Sequence, residues 1–160
     1  MNGLSYLAFA AAYRRVGVIY MDGGEVLYWA MSTKASRSDK YAAAFAKSLI
    51  DEFKPNVVIT EKLAYALRKG NHTKHIIEAI ATAAGNAPVL DMEVARANPH
   101  KNKYEEADAL IDRYPVLAPL RPKVRRYFDN EPRSTVLFEA LSLAESVRRG
   151  PTTQLAAAMG

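Results

Sequence analysis

Residues 4–30 read LSYLAFAAAYRRVGVIYMDGGEVLYWA, and this opening stretch decides which fold class the chain can adopt. Two apolar runs, residues 4–10 and 16–21, have the length and composition of strands. Asp22 and the two glycines after it form a turn signal, because glycine takes positive φ at little cost and Asp tolerates such turns. Residues 25–29 predict a third strand, with the single tryptophan packed in the core. The sequence therefore predicts an antiparallel meander at the front of the chain.

Helices and strands alternate after this meander. Apolar residues spaced three and four apart predict a helix over residues 39–53, capped by Ser38 or Asp39. The β-branched run NVVIT at 56–60 predicts a strand that is buried on both faces. Further predicted elements are a helix at 73–84, a strand at 88–92, a charged helix at 101–114, an irregular proline-containing stretch at 115–122 and a last helix at 134–148. This order predicts an α/β fold with a mixed sheet, antiparallel in front and joined behind by right-handed parallel crossovers.

Length and composition narrow the class of protein. A chain of 160 residues predicts a single domain, which we assign to residues 1–150, followed by a flexible tail at 151–160. Hydrophobic residues make up 49% and charged residues 24%, as in globular proteins. No apolar run approaches the roughly 18 residues that span a bilayer. The chain has no cysteine, which excludes disulfides and thiolate metal sites and agrees with a cytoplasmic location.

Basic residues outnumber acidic ones by 22 to 17, and their distribution is uneven. The segment from residue 62 to 75 has no acid, and a second basic run covers residues 121–126. Each run is either a solvated face or a surface that binds phosphate groups. His72 and His75 lie three residues apart, a spacing that suits either metal ligation or contact with phosphate. The charge pattern therefore permits a nucleic acid as partner without requiring one.

Two glutamates occupy positions where chemistry is expected. Glu61 follows the buried strand at 56–60, and ligands of open α/β sheets bind at the carboxyl ends of such strands. Glu139 is flanked by core residues of the last helix, so it is either half-buried and paired or part of a site. Two carboxylates at one sheet edge can hold Mg²⁺, which prefers oxygen ligands. Two such ions about 4 Å apart stabilise both the attacking and the leaving oxygen of a phosphodiester. A capping or salt-bridging role for Glu61 remains the alternative.

Three segments together resemble the RuvC-type Holliday junction resolvases of the RNase H-like superfamily: the meander at 7–18, VVITE at 57–61 with the basic segment after it, and FEALSLA at 138–144. The resemblance covers residues 4–148. It implies an RNase H-like mixed sheet flanked by helices. It also implies a Mg²⁺- or Mn²⁺-dependent endonuclease that cuts branched DNA such as four-way junctions, with Glu61 and Glu139 as the catalytic acids that bind metal. A homodimer is implied as well, because a junction has two scissile strands related by symmetry.

The chain departs from this family at two acid positions. Ala10 stands where the family has its first-strand aspartate, and Val136 stands where it often has a further acid. Ala10 is a natural loss, an engineered inactivating change, or a sign that the register is wrong. Three other acids are candidate substitutes or ordinary surface residues: Asp91, Asp129 and Glu131.

The resemblance also implies which residues reach DNA. In this family the segment after the fourth strand does so, which assigns DNA contacts to Lys62, Tyr65, Arg68, Lys69, His72 and Lys74. Tyr65 is either a wedge against an unpaired base or a core residue. Lys101 and Lys103 resemble the family's lysine region, in which Lys103 would neutralise the scissile phosphate; surface lysines are the alternative.

Two other functions remain open. A module of the same fold that binds DNA junctions without cleaving them fits the loss at Ala10. A sugar-kinase-like or ATPase member of the superfamily is disfavoured, because the chain has no glycine-rich phosphate loop.

Overall fold

The computed structural model describes residues 3–66, 69–95, 102–123 and 132–149. Its strands are β1 Ser5–Ala12, β2 Arg15–Asp22, β3 Glu25–Ser32, β4 Val57–Glu61 and β5 Leu90–Val94. Its α-helices are α1 Asp39–Phe53, α2 Asn71–Gly85, α3 Lys103–Arg113 and α4 Thr135–Arg148. Short 3-10 helices cover Lys34–Ser36, Leu63–Tyr65 and Pro115–Leu120.

The strands form one mixed sheet in the order β3-β2-β1-β4-β5. The β1–β2 and β2–β3 pairs are antiparallel, because tight turns join them. The β1–β4 and β4–β5 pairs are parallel, and each strand added in parallel is preceded by a helical crossover, α1 or α2. This topology confirms the predicted α/β fold with its antiparallel front and parallel back.

Helices cover both faces of the sheet, so β1 and β4 are buried on both sides. Leu7 and Phe9 of β1 pack with apolar side chains of α1 and α2. Ala8 and Ala10 point to the other face and pack with the core side chains of α3 and α4. The alternation follows from the two-residue period of a strand, and it places two apolar cores back to back across the sheet.

Several predicted bounds shift by a few residues. The α1 helix has the predicted ends, and the Ser38 hydroxyl accepts a hydrogen bond from the Tyr41 N–H at 3.2 Å. The last strand begins at Leu90, after Pro88, which has no N–H for a ladder. The predicted irregular stretch contains a 3-10 helix, Pro115–Leu120. Trp29 is half-buried against the α3–α4 core. The predicted tail at 151–160 lies outside the described residues, within which no helix is long and apolar enough to cross a membrane.

Candidate functional site

Ala10 and Glu61 lie on adjacent strands at the edge of the sheet where β1 and β4 end, which we call the carboxyl edge. In the parallel β1–β4 pair, Ala8 stands beside Ile59, and two residues further along the two strands are Ala10 and Glu61. Side chains two residues apart point to the same face of a strand, so both face the α4 side, as Ala8 and Ile59 do. The position of the missing first-strand acid is therefore next to Glu61.

Lys69 joins Glu61 to Glu139 of α4. Its Nζ atom lies 3.0 Å from Glu61 Oε1 and 3.0 Å from Glu139 Oε2. The same ammonium donates a hydrogen bond of 2.7 Å to the backbone carbonyl of Ala11. The two glutamates, 78 positions apart in the chain, thus converge on one positive charge at the carboxyl edge.

This carboxylate–ammonium cluster, Glu61, Glu139 and Lys69, is largely withdrawn from water. The exposed fraction of the side chain is 8% for Glu61, 16% for Lys69 and 21% for Glu139. Charges removed from water interact more strongly than surface pairs, and they need compensating partners to stay ionised. With two carboxylates and one ammonium, the cluster carries a formal charge of −1. Lys69 supplies the ammonium that Glu61 and Glu139 share.

An apolar contact fills the space beside the cluster. Gly17 pairs with Ala10 across the β1–β2 ladder and lies under the first turn of α4. A Cβ atom at Gly17 would stand 2.9 Å from Val136 Cγ1 and 3.1 Å from the Val136 backbone carbon and oxygen. Val136 is fully buried, and Ala10 is 3% exposed. The two positions where the resemblance implies acids are thus closed by packed hydrocarbon.

The described residues do not fit a divalent metal ion as they stand. Mg²⁺ takes several oxygen ligands and keeps some of its water. Here Glu139 Oε2 already accepts a hydrogen bond from Lys69 and Glu61 Oε1 forms an ion pair with the same ammonium, while Ala10 and Val136 supply no oxygen ligand. Among the residues described, no three His, Asp or Glu side chains come together in a way that could hold an ion.

The candidate substitute acids do not complete the cluster in the described part of the chain. Asp91 pairs with Val58, whose side chain belongs to the α1–α2 core, so Asp91 points to the opposite face from Glu61. Its Oδ2 atom lies 3.7 Å from the Cβ position of Gly85, at the far end of α2. Asp129 and Glu131 lie outside the described residues.

Parts of the basic segment lie along the carboxyl edge. Lys62 follows Glu61 directly and is exposed, and Lys74 is half-buried in the first turn of α2. Arg68 and the side chain of Tyr65 lie outside the described part of the structure. Lys69 differs from the expectation of a phosphate contact, because its ammonium is directed into the cluster rather than outward.

The two histidines do not form a metal pair. His72 Nε2 lies 2.7 Å from the Ser36 carbonyl oxygen, which can only accept, so this nitrogen donates. His75 is exposed and lines a groove between α1 and α2, beside Glu78. His72 thus ties the start of α2 to the turn before α1.

Lys103 opens α3, with its Nζ 5.7 Å from the Tyr104 ring centroid. One turn further along, Ser142 of α4 donates a hydrogen bond of 3.2 Å to the buried Glu106 carboxylate. This bond and the Arg113–Glu145 bond further along indicate that α3 and α4 run side by side in the same direction. Lys101 lies outside the described residues.

Sequence reasoning missed other basic residues at the carboxyl edge. The β1–β2 turn carries Arg14, whose guanidinium lies 5.0 Å from the ring centroid of Tyr13, itself 72% exposed. The remaining members follow β3 or precede α4: Lys34, Arg37 and Arg133. Arg14 lies in the turn after β1 and Arg15 begins β2, so the signal was the position of an Arg-Arg pair between two predicted strands. We call the following five residues the basic rim: Arg14, Lys34, Arg37, Lys62 and Arg133.

Tyr114, whose pKa is strongly raised, lies near the end of α4 that is opposite the carboxylate–ammonium cluster. Burial, together with the hydrogen bond from its hydroxyl to Glu145, raises the pKa of Tyr114 to about 12. Glu145 also pairs with three guanidiniums, those of Arg113, Arg148 and Arg149, at 2.9–3.2 Å. This network joins the end of α3 to α4 and has no contact with the carboxylate–ammonium cluster among the bonds described.

The chain has the RNase H-like fold of the Holliday junction resolvases. Thermus thermophilus RuvC is similar at 16% identity and a TM-score of 0.60, over 92% of this chain and 97% of that one. RuvC of T. thermophilus in complex with a Holliday junction substrate is similar at 13% identity and 0.57, over 92% and 96%. The Fowlpox virus resolvase in complex with substrate Holliday junction DNA is similar at 15% identity and 0.56, over 90% and 99%.

At these identities the likeness shows the fold, and at that level the resemblance inferred from three sequence segments is confirmed. Sequence comparison with family models and with curated proteins finds no match.

Proposed function

We propose that the protein binds branched DNA, with four-way junctions as the substrate class, and acts as a binding module that does not cleave them. The observation that carries the proposal is the Lys69 ammonium between Glu61 and Glu139, at the carboxyl edge of a resolvase fold. The arrangement keeps the architecture of a junction-processing protein while its two remaining acids are paired internally.

Binding to DNA is supported by charge at the same edge. The basic rim presents ammonium and guanidinium groups that can pair with phosphates, and such pairing supplies most of the salt-sensitive affinity for DNA. The Tyr13 ring beside Arg14 offers a flat surface on which an unpaired base can stack. Two of the similar solved structures hold Holliday junction DNA.

The absence of cleavage is supported by the closed acid positions. Ala10 offers no carboxylate, and Val136 fills its own position with hydrocarbon in contact with Gly17. Transfer of a phosphoryl group in such sites depends on groups that stabilise charge on the attacking and leaving oxygens. Two carboxylates that already share an ammonium do not supply this stabilisation.

A Mg²⁺- or Mn²⁺-dependent endonuclease is the second candidate. It is favoured by one observation, namely that Glu61, Glu139 and the Ala10 position meet at one edge. In this reading Lys103 would neutralise the scissile phosphate, and a version with Asp at position 10 would regain the third acid. A homodimer, matched to the symmetry of a junction, and a cytoplasmic location belong to both proposals.

Binding is tested with a labelled four-way junction and a linear duplex of equal length, both in EDTA. We expect tighter binding of the junction and a steep loss of affinity with salt. The Lys62→Ala, Arg68→Ala double variant should lower the slope of log affinity against log salt by about 1.8, the value for two lost phosphate contacts. The charge-matched control, Lys47→Ala with Lys54→Asn, changes α1 and its C-terminal cap and should leave the slope unchanged.

Cleavage is tested on the same junction with Mg²⁺ and with Mn²⁺. The proposal expects no nicking by the native protein. Nicking by the native protein, or by the Ala10→Asp variant alone, would support the nuclease reading. Equal affinity for junction and duplex, with no effect of the Lys62–Arg68 change, would refute both functions.

A further inference from the structure

We propose that Lys69 takes the place of a divalent cation in the carboxylate site of this fold, so that the site needs no metal ion and excludes one. The inference goes beyond junction binding, because it concerns what Glu61 and Glu139 bind when no DNA is present.

The first step is the coordination of the ammonium. A lysine ammonium has three N–H donors and no acceptor. Lys69 Nζ has three oxygen partners at hydrogen-bond distance: Glu61 Oε1 at 3.0 Å, Glu139 Oε2 at 3.0 Å and the Ala11 carbonyl at 2.7 Å. Two of these partners, Ala11 and Glu139, accept hydrogen bonds, and Glu61 completes the shell as an ion pair, so the ammonium reaches a phosphate only if a contact in the cluster breaks.

The second step is the charge. The two carboxylates lie close enough to share one nitrogen, so their facing oxygens are at most twice the 3.0 Å distance apart. Like charges this close and this buried need a cation between them. Lys69 provides that cation within the chain. A metal ion at the same place would meet the ammonium at contact distance, and their repulsion opposes binding.

The third step is the consequence of the ammonium being part of the chain rather than a free ion. The three acceptors belong to three elements, β1, β4 and α4, and Lys69 belongs to the connection between β4 and α2. The ammonium thus fixes this connection across the carboxyl edge, which a free ion cannot do. Lys69 is in this sense a positioning residue for the basic segment that begins at Lys62.

The competing arrangement is a mobile Lys69. In that case the side chain would leave the cluster, contact a phosphate, and open Glu61 and Glu139 to a metal ion. The two arrangements differ in the response of the DNA-free protein to Mn²⁺, which binds carboxylates and is detected directly by electron paramagnetic resonance.

The experiment titrates Mn²⁺ against the full chain and follows both the resonance of free Mn²⁺ and the melting temperature. We expect the native protein to bind no Mn²⁺ through Glu61, so that native and Glu61→Gln proteins give the same isotherm. Lys69→Met keeps the stem and removes the charge. We expect it to melt lower than the native protein in EDTA, to regain several degrees with Mn²⁺, and to bind Mn²⁺ at least about tenfold more tightly than the native protein.

Two controls make the outcome specific. Lys62→Met removes the same charge from the neighbouring exposed lysine and should gain no Mn²⁺ site. Lys69→Met combined with Glu139→Gln should lose the site gained by Lys69→Met. A native protein that binds one Mn²⁺ in a Glu61-dependent way would overturn the proposal. So would a folded Lys69→Met variant that gains no affinity. If Lys69→Met does not fold, the comparison of native and Glu61→Gln proteins still decides whether the native site excludes metal.

Discussion

The close contact between Gly17 and Val136 predicts that Gly17→Ala destabilises the protein. The new methyl would stand 2.9 Å from Val136 Cγ1 and 3.1 Å from the Val136 backbone carbon and oxygen. The side chain of Val136 can rotate, but its backbone atoms move only if the first turn of α4 moves off the sheet. Such overpacking costs about 1–3 kcal/mol, and the lower flexibility of Ala in a strand returns about 0.5–1 kcal/mol. At the midpoints of these two ranges, the net loss in the free energy of unfolding is about 1 kcal/mol.

Urea unfolding measures this loss, and two further variants test its cause. Gly85→Ala, where the added methyl meets Asp91 Oδ2 at an ordinary 3.7 Å, should be neutral or stabilising by up to about 1 kcal/mol. Val136→Ala removes one of the tight contacts. The double variant of Gly17 and Val136 should therefore be less destabilised than the sum of its single changes, by at least about 0.5 kcal/mol. A Gly17→Ala protein as stable as the native one would refute this account of the α4–sheet contact.

Three further predictions concern α4 and its neighbours. Ala10→Asp inserts a carboxylate at a position only 3% exposed, beside the carboxylate–ammonium cluster of formal charge −1. It should lower the free energy of urea unfolding at neutral pH by about 3 kcal/mol. An unchanged urea midpoint would contradict the burial of this position. Glu145→Ala removes the acceptor of the Tyr114 hydroxyl and of three partly exposed guanidiniums. By the same assay it should lower the free energy of unfolding by about 2–4 kcal/mol. A loss below about 1 kcal/mol would show that this network contributes little to stability. The pKa of Tyr114 is raised to about 12 in the folded protein, so its protonated form contributes stability below pH 10 that is lost as the pH rises to 12. Over that range the Tyr114→Phe variant should therefore lose stability less steeply than the native protein, by at most about 3 kcal/mol. Parallel curves of stability against pH for the two proteins would disprove the shift.

Much of the fold followed from local patterns. The glycine turn at 22–24 and the apolar runs around it predicted the antiparallel front, and the spacing of apolar residues predicted α1 with its observed ends. These features depend on contacts between residues close in the chain, or on a periodicity that persists over a whole element. Strand ends were less predictable. Glu61 belongs to β4 because it pairs with Val94, a partner 33 positions away.

The site divides in the same way. Glu61, Glu139 and the Ala10 position were expected at one edge from their places in the strand and helix order. The position of the Lys69 ammonium between Glu61 and Glu139 was not expected. A lysine has a long, flexible side chain, and whether its ammonium meets a phosphate or two carboxylates depends on where the connection between β4 and α2 returns to the sheet.

By itself, the sequence determined which segments become strands and helices, which of their faces are apolar, and which acids stand at strand ends. Tertiary structure decided the rest: that Gly17 admits Val136 against the sheet, that Asp91 points away from Glu61, and that one ammonium joins three elements. The physical reason is that propensity and periodicity act over a few residues, whereas the pairing of buried charges depends on distances between elements that become defined only when the two cores pack on the sheet.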